Sequence, residues 1–107
     1  MKVIINNQEF NCLYANTFYK RLKGLMFQKV ITNGLIFNNC HSIHTFFMKS
    51  NIDIIMLDKN QKITYYEKNV KRNRIIIKKE AYITIELPPN SLNIININDY
   101  VKIEKSN

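Results

Sequence analysis

Residues 52–67 read IDIIMLDKNQKITYYE. Residues 52–58 are a near-continuous apolar run with one carboxylate, Asp53, inside it. Asp58-Lys59-Asn60-Gln61 then supplies tight-turn chemistry, and 62–67 returns with β-branched and aromatic residues. A strand-length apolar run, a short polar turn and a β-rich return predict a hairpin. This is the strongest hairpin signal in the chain, and it sets the class as strands joined by short turns.

The same reading extends outward. Residues 2–5 (KVII) and 9–14 (EFNCLY) flank Asn6-Asn7-Gln8 as a second hairpin, because Asn tolerates left-handed backbone angles. Asn33-Gly34 is an expected turn before a short strand at 35–38. The stretch 41–49 (HSIHTFFMK) is β-branched and aromatic, which favours a strand. Ile75-Ile76-Ile77 marks a short strand within 73–78. Residues 81–87 (AYITIEL) alternate, with Tyr82, Thr84 and Glu86 on one side and Ala81, Ile83, Ile85 and Leu87 on the other. Pro88-Pro89-Asn90 ends that strand, 91–97 carry no clear period, and 100–104 (YVKIE) close the chain's β pattern.

One segment changes period. After an Asn16-Thr17 cap, Phe18, Leu22, Leu25 and Met26 recur at helical spacing, which predicts a helix ending by about Gln28. No strand–helix–strand alternation follows, so a parallel doubly wound sheet is excluded. The expected fold is α+β and mostly β. It is one domain over 1–107, an antiparallel curved or barrel-like sheet with one helix from the N-terminal half packed on it.

At 107 residues with 46% hydrophobic and 22% charged, the chain has globular composition. No apolar run approaches the roughly 20 residues of a membrane helix. MKVIINNQEF turns polar too early for a signal peptide, so a cytoplasmic location is expected. The net charge is +8, but Ile, Asn and Lys are inflated together, as A/T-rich codons would impose. The position of the charge says more than its size. Residues 59–79 hold eight cations against one acid, Glu67.

Cys12 and Cys40 are read as small, mostly buried thiols without a disulfide. Cys40, His41 and His44 are close in sequence. On a strand, though, residues three apart point to opposite faces, and a zinc site wants four ligands. No metal and no cofactor is expected. The chain has no nucleophile elbow, phosphate loop or metalloprotease helix.

Arg21-Leu22-Lys23-Gly24-Leu25-Met26-Phe27 matches an R-x-x-G-L-M-F pattern. His44-Thr45-Phe46-Phe47-Met48-Lys49 follows about twenty residues later, then Ile52–Asp58, Glu86-Leu87-Pro88 and Asp99-x-Val101. In this order the motifs resemble the family called domain of unknown function 192, across nearly the whole chain. The resemblance implies a compact, mostly β domain without an established activity. The chain departs from the pattern at Asn51, where Pro is usual, and at Asn98 and near Asn90, where Gly is usual. Asn is the residue best able to replace Gly in a left-handed turn.

The polar residues around these motifs form the candidate ligand-binding site: Arg21, His44, Thr45, Lys49 and Asp53. A carboxylate inside an apolar run must be paired, and Arg21 or Lys49 is the expected partner. Lys68, Lys71, Arg72, Arg74, Lys78 and Lys79 form a candidate anion-facing surface. An anionic membrane surface would suit such a cluster. Nucleic acid is the weaker partner, for no helix-turn-helix, zinc finger or RNA-recognition signature is present. Phe46 and Phe47 should face opposite ways, one into the core and the other outward as a contact surface. The reading leans away from an enzyme, toward a small accessory module that binds a small ligand or a protein partner. A small enzyme using the Arg21, His44, Lys49 and Asp53 cluster is the alternative.

Overall fold

Asp53 and its five neighbours in strand β5 (Ile52–Leu57) are all buried, so that strand is covered on both faces. The computed structural model describes residues 1–15 and 33–105. The other strands are β1 (Lys2–Ile5), β2 (Gln8–Tyr14), β3 (Gly34–Asn38), β4 (Ser42–His44), β6 (Ile63–Val70), β7 (Ile75–Ile77), β8 (Ile83–Leu87) and β9 (Val101–Glu104). Seven of them form one sheet in the order β6-β5-β8-β3-β2-β1-β9, and β4 pairs with β7 as a separate ribbon.

The sheet curls until its two edge strands touch at one end. Lys62 bridges Tyr100, Ile63 N–H donates to the Asp99 carbonyl (2.9 Å) and Val101 N–H to that of Gln61 (2.8 Å). The hairpin expected at 52–67 is the β5–β6 pair, with Asp58 accepting from Asn60 N–H (2.8 Å) and Lys62 N–H (3.0 Å) to hold the turn.

Alternation along β5 explains its burial. Ile55 and Leu57 enter a core inside the curl with Val3, Ile5, Ile85 and Val101. Ile52, Ile54 and Met56 point the other way, into a second cluster with Met48, Val70 and Ile76. The β4–β7 ribbon supplies Ile76 to that cluster and so covers part of the sheet's outer face.

The α+β expectation is corrected. Among the described residues every regular element is a strand and none is a helix. The segment read as helical, 16–28, lies outside the described residues, so a helix packed on the sheet is not part of the fold described. The mostly β, curved sheet holds. The sheet is also not wholly antiparallel, since β2 and β3 run parallel, with Cys12 opposite Gly34 and Tyr14 opposite Ile36. Parallel neighbours need a connection of a dozen or more residues, and the stretch between β2 and β3 has that length.

Gly34 opens β3 rather than forming a turn. A Cβ there would lie 2.7 Å from Cys12 Sγ, 2.7 Å from a Leu87 methyl and 2.8 Å from the Glu86 carbonyl. The parallel pairing therefore requires glycine at this position. Turns elsewhere rely on asparagine. Asn6, Asn39, Asn69, Asn73, Asn90 and Asn98 all take positive φ, as do Gln61 and Phe47. Asn90 and Asn98, the positions where glycine is usual in the resembled pattern, adopt φ of 62° and 75°.

Candidate functional site

Asp53 points into the curl opposite Leu87 and is fully buried. Among the described residues its partners are backbone N–H groups rather than a cation. Asn69 donates to Oδ1 (2.9 Å), and Ser91 (2.8 Å) and Leu92 (2.9 Å) donate to Oδ2. The Asn69 donor is free for this because β6 bulges there. The register jumps between Ile52↔Val70 and Ile54↔Glu67, and Asn69 sits at φ 52°. An extra residue in a strand leaves its N–H outside the ladder, and Asp53 takes it up. Three charge-assisted bonds offset the desolvation of the carboxylate.

Thr45 is fully buried as well, as is Thr84. Its Oγ1 donates to the Lys71 carbonyl (2.7 Å) and accepts from Arg74 N–H (2.8 Å), while its own N–H donates to the Arg74 carbonyl (2.9 Å). Asp53 and Thr45 thus act on one segment. Asp53 holds it at 69, and Thr45 holds it at 71 and 74. Between these anchors the exposed side chains of Lys71 and Arg72 project from the turn.

The remaining expected site residues are spread around this frame. His44 ends β4 opposite Ile75. Its Nδ1 accepts from Phe46 N–H (3.2 Å), and its ring stacks on Phe46 at 5.3 Å. Lys49 is exposed beyond the turn that follows β4. Arg21 lies outside the described residues, as does Met26. The expected strand over 41–49 stops at His44, because the Thr45 anchor and a turn bonded from Met48 N–H to the Thr45 carbonyl (3.3 Å) end the pairing. Neither phenylalanine enters the core. Phe46 and Phe47 are 36% and 66% exposed.

The basic stretch divides by strand alternation. Arg74, Ile76 and Lys78 face the body of the molecule. Arg74 clasps both oxygens of Glu67 (2.7 and 3.1 Å), and Lys78 Nζ lies 4.4 Å over the Tyr65 ring. Tyr65 OH donates to the same carboxylate. The bond to Arg74 holds the Glu67 carboxyl below its usual range, against a smaller opposing effect of burial. Burial first, and then the bond to Glu67, push the Tyr65 phenol up to about 12. Ile75 and Ile77 face the opposite way, 61% and 58% exposed. Lys68 reaches across to the Asn93 carbonyl (2.9 Å). Lys71, Arg72 and Lys79 stay at the surface. The sequence marked the cations but not the outward isoleucines, since a triple isoleucine carries no sign of which two are exposed.

The buried Cys12 thiol offers little nucleophilic character. Burial pushes Cys12 up to about 11, and Cys40 Sγ donates to the Ser42 carbonyl (3.2 Å). No group of three His, Cys, Asp or Glu side chains among the described residues could hold a metal ion. No helix among them is long and apolar enough to cross a membrane.

The fold and the buried polar anchors define a small, mostly β domain built on one curled sheet. The model of the DUF192 family, described as "Uncharacterized ACR", matches residues 1–104, and the chain belongs to that family. Its relatives include the UPF0127 protein of Thermococcus kodakarensis, 33% identical over 79% of this chain and 58% of that protein. The UPF0127 protein of Thermococcus gammatolerans is 37% identical over 79% of this chain and 60% of its own length. The matched region thus spans about three-fifths of each of these relatives. A crystal structure of a protein of unknown function from Novosphingobium aromaticivorans shares the fold, with a TM-score of 0.80 and 16% identity over 96% of this chain and 84% of that one. A second, titled a putative transcription regulator, from Sinorhizobium meliloti, gives 0.78 and 15% over 94% of this chain and 89% of that one. At those identities the likeness is one of fold alone.

Proposed function

We infer that this chain is a binding module without catalytic chemistry of its own, working on the cytoplasmic side of the cell. Its working surface is the outward side of the β4–β7 ribbon together with the 69–74 turn, and its partner is anionic. The observation that carries this reading is the pair of aliphatic side chains, Ile75 and Ile77, standing exposed on β7, with the exposed Lys71 and Arg72 at one end and Lys79 and Glu80 at the other. Exposed apolar groups rimmed by charge are the mark of an interaction surface.

The buried polar groups support the same reading. A general acid or base must reach its substrate. Asp53 and Thr45 are both fully buried, and their oxygens hold backbone groups. They act as positioning residues for the basic turn. His44 belongs to the surface beside Ile75, and Lys49 adds a further exposed cation after the turn at 45–48.

Titration of the full chain with heparin, a soluble polyanion, tests this by calorimetry. Binding should weaken steeply with salt, and Lys71→Gln/Arg72→Gln should lower affinity by about tenfold. Lys102→Gln/Lys105→Gln removes the same charge near β9, at the other edge of the sheet, and should have a much smaller effect. Equal losses from both pairs, or no binding at low salt, would overturn the assignment of the surface.

A further inference from the structure

We propose that the partner of this surface is an anionic lipid bilayer, into which Ile75, Ile77 and Phe47 insert while Lys71, Arg72 and Lys79 meet headgroup phosphates. The proposal rests on reading the ribbon as the binding face and deepens it.

The first argument is the shape of the apolar row. Ile75 lies beside His44, whose ring stacks on Phe46, and Ile77 lies beside Ser42. Each isoleucine stands more than half clear of its neighbours. Side chains that project this far form no groove for a peptide to fill, whereas fluid hydrocarbon accommodates any convex shape.

The second argument is charge. Arg74 and Lys78 lie on the Ile76 side of β7, engaged with Glu67 and Tyr65, with Arg74 still partly exposed. Of the outward cations, Lys71 and Arg72 stand together at one end of the apolar row, while at the other end Lys79 is followed by the exposed Glu80, so the positive charge gathers at the 71–72 end. The single acid of the stretch, Glu67, is clasped by Arg74. Aliphatic side chains beside basic residues match hydrocarbon below and anionic headgroups around it.

The third argument is Phe47. Among the described residues, six of the eight non-glycine positions with positive φ are asparagine, and a seventh, Gln61, is also polar. Phe47 holds φ 64° instead, a costly conformation for a bulky side chain, with its ring 66% exposed. Strain of this kind persists at sites that bind, and Phe47 stands exposed in the turn that follows β4.

Co-sedimentation of the full chain with phosphatidylcholine vesicles, with and without phosphatidylserine, tests the proposal. The chain should pellet with the anionic vesicles only. Ile75→Ser/Ile77→Ser keeps the net charge and should reduce that affinity by about tenfold, while heparin binding stays unchanged. Phe47→Asn should weaken vesicle binding and raise the melting temperature, which separates an insertion role from a structural one. Heparin binding without vesicle binding would overturn the bilayer and leave the binding face standing. Loss of both would overturn the two readings together. Vesicle binding that the isoleucine variant does not alter would overturn insertion. Tighter binding to duplex DNA than to anionic vesicles at equal ionic strength would make nucleic acid the partner.

Discussion

Asp53 and the Ile75/Ile77 pair break the rule of polar outside and apolar inside in opposite directions. Asp53 is a charge in the interior, and the chain itself supplies its explanation in three backbone donors, one from the β6 bulge and two from residues 91 and 92. Ile75 and Ile77 are aliphatic groups at the surface, and the described chain brings nothing over them. An inverted residue whose interactions are complete within the molecule belongs to its stability. One whose surface stays exposed points to something outside the molecule. The candidate site divides along that line, with Asp53 and Thr45 holding the turn and the ribbon presenting its face.

The largest expected effect tests the interior half. Asp53→Asn leaves an amide NH₂ against backbone donors and should lower unfolding stability by about 3 kcal/mol in urea denaturation. An unchanged midpoint would remove Asp53 from the structural side. Thr45→Val keeps the shape but strands the Lys71 carbonyl and the Arg74 N–H, for an expected loss of about 2 kcal/mol. The same variant should loosen the basic turn, which faster amide exchange at 71–74 would report.

Glu67→Gln is expected to lose about 1 kcal/mol at neutral pH, because its ion pair is partly exposed. Glu67 is held below its ordinary value of 4.5 in the folded state. Its contribution is therefore fully present above the unfolded pKa and fades as pH falls through the lower folded value. Wild type and variant should converge in acid, and a difference that stays constant below pH 4.5 would assign the loss to packing instead. The smallest effect belongs to the outer half. Ile75→Ser/Ile77→Ser should change stability by no more than about 0.5 kcal/mol. A loss of several times that would mean the two isoleucines support the fold, and the comparison would fail.

Much of the strand pattern was legible. Hairpins at 2–14 and 52–67 follow from local alternation and turn residues, and β8 lies within the alternating stretch 81–87. Yet all five residues of β8 are buried, Thr84 and Glu86 included. Alternation assigns each residue to a face but does not say that both faces will be covered. Thr45 and Asp53 stand out in the sequence as polar residues among apolar ones, while the partners of Asp53 among the described residues are backbone N–H groups, with Arg21 outside those residues. An ion pair with Arg21 or Lys49 is the natural sequence-level partner for a carboxylate in an apolar run. Backbone N–H groups carry no residue-type signature that could have announced them.

The residues alone determined the hairpins within 2–14 and 52–67, the turn at Asn6, and that cations gather between 59 and 79, because each depends on neighbours a few positions away. Tertiary structure decided the parallel β2–β3 pair and the close approach at Gly34. It also decided which isoleucines of β7 face outward, and it joined Asp53 to residues 69, 91 and 92. Those outcomes rest on contacts between segments far apart in the chain. They are set when the curled sheet closes, when Leu92 N–H comes within 2.9 Å of a carboxylate 39 residues away.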